Sequence, residues 1–452
     1  MAAPDIKMGR LSAEEIAEKF GDLHPPLSRP EALIEADRCY FCFDAPCTTA
    51  CPTGIDIPSF IQKIRSDNVQ GSAETILKEN IMGGMCARVC PTEVLCEEAC
   101  VRNTHEEKPV NIGLLQRYAT DPTFQSGAQI FERGSETGKK VAIVGGGPAG
   151  LSCAHRLAML GHDAVIYSRD DKLGGLNEYG IAAYKTVDEF AQREVDWILN
   201  IGGIDVRTNI ALGDDIHLAD LQRDYDAVFL AFGLGGVNSL GLENEEADNV
   251  LNAVDFIADL RQAKDKGKLP IGRRVIVIGG GMTAIDVAVQ SMRLGSEQVD
   301  IVYRRGADQM GASKFEQELA QTNDVSIRHW STPIGLSVAN GLVQVKFERT
   351  RLDAAGKLQM TGETWMAEAD IVFKAVGQTI DMVSFSGDAQ PIKQHRGKLV
   401  VDEERKTSLN DVWAGGDCIF GHDDLTVSAV QDGKLAALSI DRHLRGEEAN
   451  NG

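Results

Sequence analysis

The sequence contains no run of about 18 or more apolar residues, so it offers no candidate for a bilayer-spanning helix. Its N-terminal stretch, MAAPDIKMGRLSAEEIAEKF, lacks the apolar core of a secretory signal. Basic residues are scarce: 46 Lys and Arg stand against 67 Asp and Glu, a formal net charge of −21. That balance argues against a polybasic membrane surface and supplies no excess of cations to neutralise a nucleic-acid backbone. The expectation is a cytoplasmic protein with neither membrane nor nucleic acid as a partner. In such a reducing compartment, clustered cysteines are more often metal ligands or redox groups than disulfides.

Cysteine is nearly absent outside one short stretch. Eight of the ten lie between residues 39 and 100. The first group is Cys39, Cys42, Cys47 and Cys51, followed by Pro52; the second is Cys86, Cys90 with Pro91, Cys96 and Cys100. A two-cluster ferredoxin passes its Cys-Pro cysteine to the other cluster, and eight thiolates in two interleaved groups suit a pair of [4Fe–4S] clusters. Spacing alone also admits zinc, whose four-cysteine sites use C-x-x-C knuckles, or a disulfide framework. Residues 1–120 lack strand-like runs as well. Their apolar residues recur at helical spacing, as in Ile57, Phe60, Ile61 and Ile64, which predicts short helices stapled by inorganic clusters. Cys153 and Cys418 stand alone and read as small buried hydrophobes. The nine histidines show no metal-ligand spacing.

Beyond Lys139 the pattern changes. VAIVGGG (141–147) reads as a buried strand ending in glycines, LSCAHRLAMLG (151–161) as a helix with Gly161 as its cap, and DAVIY (163–167) as a second strand. The order recurs in RVIVIGGG, MTAIDVAVQSMRLG and VDIVY over 274–303. This is a repeated βαβ unit with the continuous apolar strands of a parallel sheet. DAVFLAFG (226–233) and DIVFKAVG (370–377) each follow one copy and end in Ala-x-Gly. DVWAGGD (411–417) then precedes a helical pattern over 429–444. The layout predicts a dinucleotide domain interrupted by a second one: a helical iron–sulfur domain over 1–121, a first domain over 122–243 and 383–452, and a nested domain over 244–382. The expected fold class is α/β, with two nested Rossmann-like domains of the glutathione-reductase type behind the helical domain.

Gly145-Gly146-Gly147-Pro148-Ala149-Gly150 matches G-x-G-x-x-G between a predicted strand and helix, the context in which that motif binds a pyrophosphate. The acidic residue expected at the end of the next strand is replaced by Ser168, which could bond the ribose itself or leave that role to Asp170. The second loop, Gly279-Gly280-Gly281-Met282-Thr283-Ala284, carries Ala at the third position, and Asp286 reads as a carboxylate favoured near a helix N-terminus. Its following strand ends at Arg304-Arg305, which can hold a 2′-phosphate or stack on adenine. No C-x-x-C follows the first loop, which argues against disulfide-reductase chemistry.

CYFCFDAPCTTACPTGIDIPSFI (39–61), MCARVCPTEVLCEEAC (85–100), NIGLLQRYATD (111–121), GGGPAGLSCA (145–154), GGGMTAID (279–286) and AGGDCIFGHDDLTVSAVQDGK (414–434) resemble the electron-entry part of the dihydropyrimidine dehydrogenase family. The small subunit of glutamate synthase is a more distant relative with the same layout. The resemblance covers nearly the whole chain and implies FAD, NAD(H) and two [4Fe–4S] clusters. It implies one cluster on Cys39, Cys42, Cys47 and Cys100, and another on Cys51, Cys90, Cys96 and Gln116, leaving Cys86 aside. FAD is implied at Gly145, Gly146, Gly147, Pro148, Ala149, Gly174, Gly175, Lys185, Gly416, Asp417 and Thr426. The nicotinamide dinucleotide is implied at Gly281, Met282, Thr283, Ala284, Arg304, Arg305, Ala375 and Gly377. The family's FMN barrel has no counterpart here, which implies no pyrimidine-site catalytic residue in this chain and an FMN- and Fe–S-containing catalytic subunit as partner, together forming a heterotetramer. In Gly306–Gly311 no base accompanies the two arginines and Asp308 is present, which favours NADH. A glutamate-synthase-like subunit or a stand-alone NAD(P)H:acceptor oxidoreductase is the alternative.

Overall fold

The computed structural model describes residues 5–380, 392–421 and 423–447. The expected domain boundary between 382 and 383 lies outside them. The chain divides into two compact units, 1–23 with 179–187 and 237–378, and 24–178 with 188–236 and 379–452.

The larger unit begins with the helices that carry the cysteines. Asp56 caps the helix Ile57–Arg65 by accepting from the Ser59 N–H at 3.1 Å, and the predicted face of Ile57, Phe60, Ile61 and Ile64 is buried. Those side chains form a core with Ala32, Ile76, Leu115 and Ala119, against which Cys39, Cys47, Cys51, Cys96 and Cys100 are half-buried. No strand forms among the described residues before Lys140.

From Lys140 the same unit builds a five-stranded parallel sheet. Its order is Val412–Ala414, Ala227–Leu230, Lys140–Val144, Asp163–Tyr167 and Ile204–Arg207. The central strand, buried from Val141 to Val144, feeds the glycine loop and the helix Pro148–Met159. The C-terminal helix Thr426–Arg445 lies along that helix, and the Ser152 hydroxyl donates to the Val430 carbonyl at 2.7 Å. Contact is close because residue 433 is glycine: a Cβ there would overlap the Ala149 carbonyl and come within 2.9 Å of the Cys153 nitrogen.

The smaller unit repeats the design. Its parallel sheet runs Val250–Asn252, Ile371–Ala375, Arg274–Gly279, Gln298–Val302 and Ser326–Arg328. A three-stranded antiparallel meander, Ser331–Ala339, Leu342–Leu352 and Leu358–Ala369, is added to it, an element the motif reading did not anticipate. The middle strand shows the signal for it, since Val343, Val345 and Phe347 alternate inward into a core with Ile276 and Val372. Residues from the N-terminal stretch ahead of the cysteines also pack here: Ile16 and Phe20 join Ala182, Tyr184 and Ile257 in the core. Ser12 and Glu15 form a reciprocal capping box at the start of Ala13–Lys19.

The close helix contact yields a prediction. Gly433→Ala should destabilise the larger unit by about 1–3 kcal/mol, the usual cost of overpacking. Scanning calorimetry of the purified protein reads this as a melting temperature lowered by several degrees. An unchanged melt would mean that the two helices separate freely.

Candidate cofactor sites

Cys39, Cys42, Cys47 and Cys100 line one pocket, walled by Tyr40, Pro46, Ile57, Ile61, Val110 and Ile112. The structure thus brings together the four cysteines that the resemblance groups. Burial pushes the Cys47 thiol up to about 11 and raises Cys39 as well. At neutral pH such thiols hold their protons unless a strong cation displaces them, as ligation by iron does. Among the described residues, no three Cys, His, Asp or Glu side chains converge tightly enough for a single metal ion. Sulfurs spaced around a pocket suit a multi-iron cage better than one tetrahedral zinc.

Cys51, Cys90 and Cys96 form a second neighbourhood, and Cys86 belongs to it. Cys86 and Cys90 sit one turn apart at the end of Gly83–Val89, with their thiols close to one another. That contact with Cys86, and then burial, raises the Cys90 thiol; the nearby Cys96 and Cys51 sulfurs add to the effect. Gln116 is buried on Ile112–Ser126, and its amide donates to the Gly83 carbonyl at 2.7 Å. Among the described residues its Oε1 accepts no hydrogen bond. An amide oxygen with no protein partner among the described residues, on a buried side chain tied to the helix that carries Cys86, fits a ligand to a fourth iron. Glu97 ties the region together by accepting from the Gly113 N–H at 2.9 Å, which joins the Cys96–Cys100 loop to the helix carrying Gln116.

Behind this neighbourhood lies Glu194, which the motif reading passed over. Its Oε1 accepts from the N–H groups of Gly84 and Met85, at 2.9 and 3.1 Å. Burial pushes its carboxyl up to about 8 despite those bonds and the Arg88 charge. Arg88 stacks on the Phe190 ring at 3.5 Å and, with Arg117, pairs with Asp121. The sequence did hold a signal. Glu194 falls on the buried face of Phe190–Leu199 with Phe190, Ala191, Val195 and Ile198, where a carboxylate is out of place.

The larger unit also assembles a backbone cradle. Gly145 has φ +113°, and a Cβ there would overlap the Ala231 carbonyl. At Gly147, the first turn of Pro148–Met159, a Cβ would find no protein atom closer than 3.8 Å. That space is what a pyrophosphate needs at a helix N-terminus. Gly174 donates to the Gly146 carbonyl at 2.8 Å, and Gly175 lies against Gly147. Gly416 touches Ala149 and donates to Asp432, which Arg405 holds at 2.7 Å. The Thr426 hydroxyl donates to the Asn177 Oδ1 at 2.7 Å. Gly145–Ala149, Gly174, Gly175, Gly416 and Thr426 are therefore neighbours, with Asp417 following Gly416. Ser168 is buried at the end of its strand, and Asp170 pairs with Arg169 at 3.6 Å. The residues fit a flavin dinucleotide.

Lys185 belongs to the smaller unit, where it pairs with Asp286 and Glu316 at 2.7 and 2.8 Å. Burial alone would lower it, but the two carboxylates more than offset this and hold it charged. Asp286 is more than a dipole partner, for it anchors residues 182–185 to the helix Met282–Arg293. The second glycine loop copies the first. Gly279 has φ +153° and abuts the Ala375 carbonyl, and a Cβ at Gly281 would meet nothing within 4 Å. Met282 and Thr283 are half-buried and Ala284 is buried. Gly377 has φ +93° and accepts from the Asn238 N–H at 3.0 Å. Arg304 and Arg305 make no ion pair among the described residues, so two guanidiniums remain for a dinucleotide. This site fits a nicotinamide dinucleotide.

Comparison with known proteins agrees with this division. Residues 16–128 match the family model described as dihydropyrimidine dehydrogenase domain II, 4Fe-4S cluster. Residues 139–433 match that of the pyridine nucleotide-disulphide oxidoreductases. The chain is 37% identical to the NAD-dependent dihydropyrimidine dehydrogenase subunit PreT of Salmonella typhimurium, over 95% of this chain and 97% of that one. It is 35% identical to the glutamate synthase [NADPH] small chain of Escherichia coli, over 93% of each. Among solved structures, the FprA His57Gln mutant of Mycobacterium tuberculosis superposes with a TM-score of 0.59 at 18% identity, over 68% of this chain and 85% of that one. Thioredoxin reductase of T. acidophilum gives 0.52 at 22% identity, over 68% and 99%. At those identities the two structures establish the shared α/β fold alone. No helix among the described residues is long and apolar enough to cross a membrane.

Two predictions follow from the cysteine neighbourhoods. Cys86→Ser should retain about eight irons per chain, the content of two cubane clusters, while Gln116→Ala should lose or alter the EPR signal of one. Iron loss in Cys86→Ser beside an unchanged Gln116→Ala would reverse the assignment. The second concerns Glu194, whose folded pKa lies above its unfolded value. A carboxyl raised in this way favours folding at low pH, and the contribution fades as pH rises through the ordinary carboxylate range towards 8. Between pH 5 and pH 8 the wild type should therefore lose more thermal stability than Glu194→Gln. Parallel pH profiles would show that Glu194 is not buried as described.

Proposed function

From the premise that this chain belongs to the pyridine nucleotide-disulphide oxidoreductases that carry a dihydropyrimidine dehydrogenase-type 4Fe-4S domain, we propose that it is the electron-input subunit of a two-subunit dihydropyrimidine dehydrogenase. Its electrons come from NADH and leave for a partner subunit that holds FMN and interconverts uracil or thymine with the 5,6-dihydropyrimidines. Bound FAD and two [4Fe–4S] clusters would supply the conversion of a two-electron donor into one-electron steps.

The observation that carries this reading is the presence, within one unit, of the four-cysteine pocket and the Gly145–Ala149 cradle. The residues of the chain bind and position. Gly147 leaves backbone open to a pyrophosphate, Gly175 packs closely against it, and the helix behind Gly147 offers its free N–H groups to the anion. Asp432, fixed by Arg405, orients the Gly416 turn. Gly281 opens the second loop in the same way, and Arg304 and Arg305, without ion pairs among the described residues, would meet the adenosine end. Cys39, Cys42, Cys47 and Cys100 hold one cluster, and Cys51, Cys90, Cys96 and Gln116 the other.

Asp308, exposed in the turn Ala307–Gln309, supports NADH because it would repel a 2′-phosphate. One observation favours a second reading, a glutamate-synthase-type subunit that uses NADPH: Arg304 and Arg305 stand without ion pairs among the described residues. Assays of the isolated holoprotein separate these. It should reduce ferricyanide with NADH at a higher kcat/KM than with NADPH, and it should leave uracil unreduced. A preference for NADPH of about tenfold, roughly 1.4 kcal/mol of discrimination, overturns the coenzyme assignment. Turnover of uracil by the chain alone overturns the two-subunit reading.

A further inference from the structure

We propose that Thr53 is a positioning residue for the second cluster: its hydroxyl donates a hydrogen bond to the Cys51 sulfur and makes that cluster easier to reduce. The proposal rests on the reading of Cys51 as a cluster ligand and adds a residue outside the ligand set. The Thr53 Oγ1 lies 3.3 Å from the Cys51 Sγ. Thr53 is 3% exposed, so little solvent competes for its hydroxyl. Among the described residues that sulfur is the hydroxyl's one partner. Between a hydroxyl and a free thiol, either atom can donate. A sulfur bound to iron is a thiolate without a proton, so there the hydroxyl is the donor.

The approach is fixed from both sides. Cys51-Pro52-Thr53-Gly54 is a turn closed by the Gly54 N–H on the Cys51 carbonyl at 2.9 Å. From outside, the buried Lys434 ammonium donates to the Thr53 carbonyl at 3.0 Å. It also donates to the Glu79 carbonyl at 3.1 Å and to the Glu79 carboxylate at 3.0 Å, which occupies all three of its N–H groups. Lys434 follows Asp432 and Gly433, which hold the Gly416 turn and lie against Ala149. One helix thus ties the Cys51 turn to the Gly145–Ala149 cradle within the larger unit. An added electron makes the cluster and its thiolates more negative. A hydroxyl donor binds the more negative sulfur more strongly, so the bond favours the reduced form, and hydrogen bonds to the sulfurs are one determinant of cluster potential. The Lys434 charge acts in the same direction, with the Glu79 carboxylate offsetting part of it.

Thr53→Val keeps the shape and removes the donor, whereas Thr53→Ser keeps the donor. Both should retain about eight irons per chain. Resonance Raman spectra of the oxidised clusters, taken in H2O and in D2O, read the bond directly. Wild type and Thr53→Ser should share a deuterium-sensitive iron–cysteine stretch that Thr53→Val lacks. In an EPR-monitored redox titration, Thr53→Val should lower the reduction equilibrium constant of one cluster by about tenfold, which is about 59 mV for one electron, and leave the other unchanged. Thr53→Ser should titrate as the wild type does. Wild-type bands and potentials in Thr53→Val overturn the proposal. So does an equal fall in Thr53→Ser, which would assign the effect to packing. If Thr53→Val loses iron, Thr53→Ala replaces it, and iron loss in both overturns the proposal by making Thr53 a residue that only holds the loop. A wild type without iron, or a Cys51→Ala variant that still holds about eight irons, would instead sink the assignment of Cys51 as a ligand, and the role of Thr53 with it.

Discussion

In each half of the nested repeat, a backbone carbonyl presses on a glycine. Gly145 meets Ala231, and Gly279 meets Ala375, at positions where any Cβ would overlap the carbonyl oxygen. Both glycines have positive φ, so the strand can turn sharply into the helix that follows. The partner alanines begin the two Ala-x-Gly segments, which explains why those segments recur at matching distances behind each loop. Once this contact is made, the next helix begins at Gly147 or Gly281 with open space at its N-terminus. Both dinucleotide sites depend on it.

The cysteine region obeys a different constraint. Its core is small, about a dozen buried side chains, and five of the cysteines sit at its edge rather than inside it. A helical array of that size has little apolar area from which to draw stability. A pocket that sets four thiols among mostly apolar side chains becomes coherent if the thiols are ligands, and folding and cluster loading would then be one process. Glu97 and Gln116 show how the chain prepares for this, since each uses a backbone group to fix the approach of one helix or loop to the next.

Buried charges do the remaining work of specification. Asp432 with Arg405, Lys185 with Asp286 and Glu316, and Glu194 with the Gly84 and Met85 amides each join segments far apart in sequence. Buried ion pairs are weak sources of stability because desolvation offsets attraction, but a missing partner is costly. Their effect is to reject alternative arrangements of the loops they hold. The Gly416 turn and the 182–185 segment are placed in this way.

The strands and helices around both glycine loops were legible in the sequence because their signals are local. An apolar run ending in glycines, followed by a helical pattern, has few other solutions, and the face of Ile57, Phe60, Ile61 and Ile64 was visible from spacing. The α/β class with a helical domain in front followed from the same signals. The grouping of the cysteines was not legible from spacing, because Cys100 joins Cys39, Cys42 and Cys47 across more than fifty residues of chain. Resemblance supplied that grouping, and the tertiary structure supplied the pocket. Neither spacing nor motif placed residues 5–23 and 179–187 with the smaller unit, or drew attention to Glu194 and Asp432. Those outcomes turn on which apolar face or carboxylate finds a partner at long range, and that is settled only when the whole chain has packed.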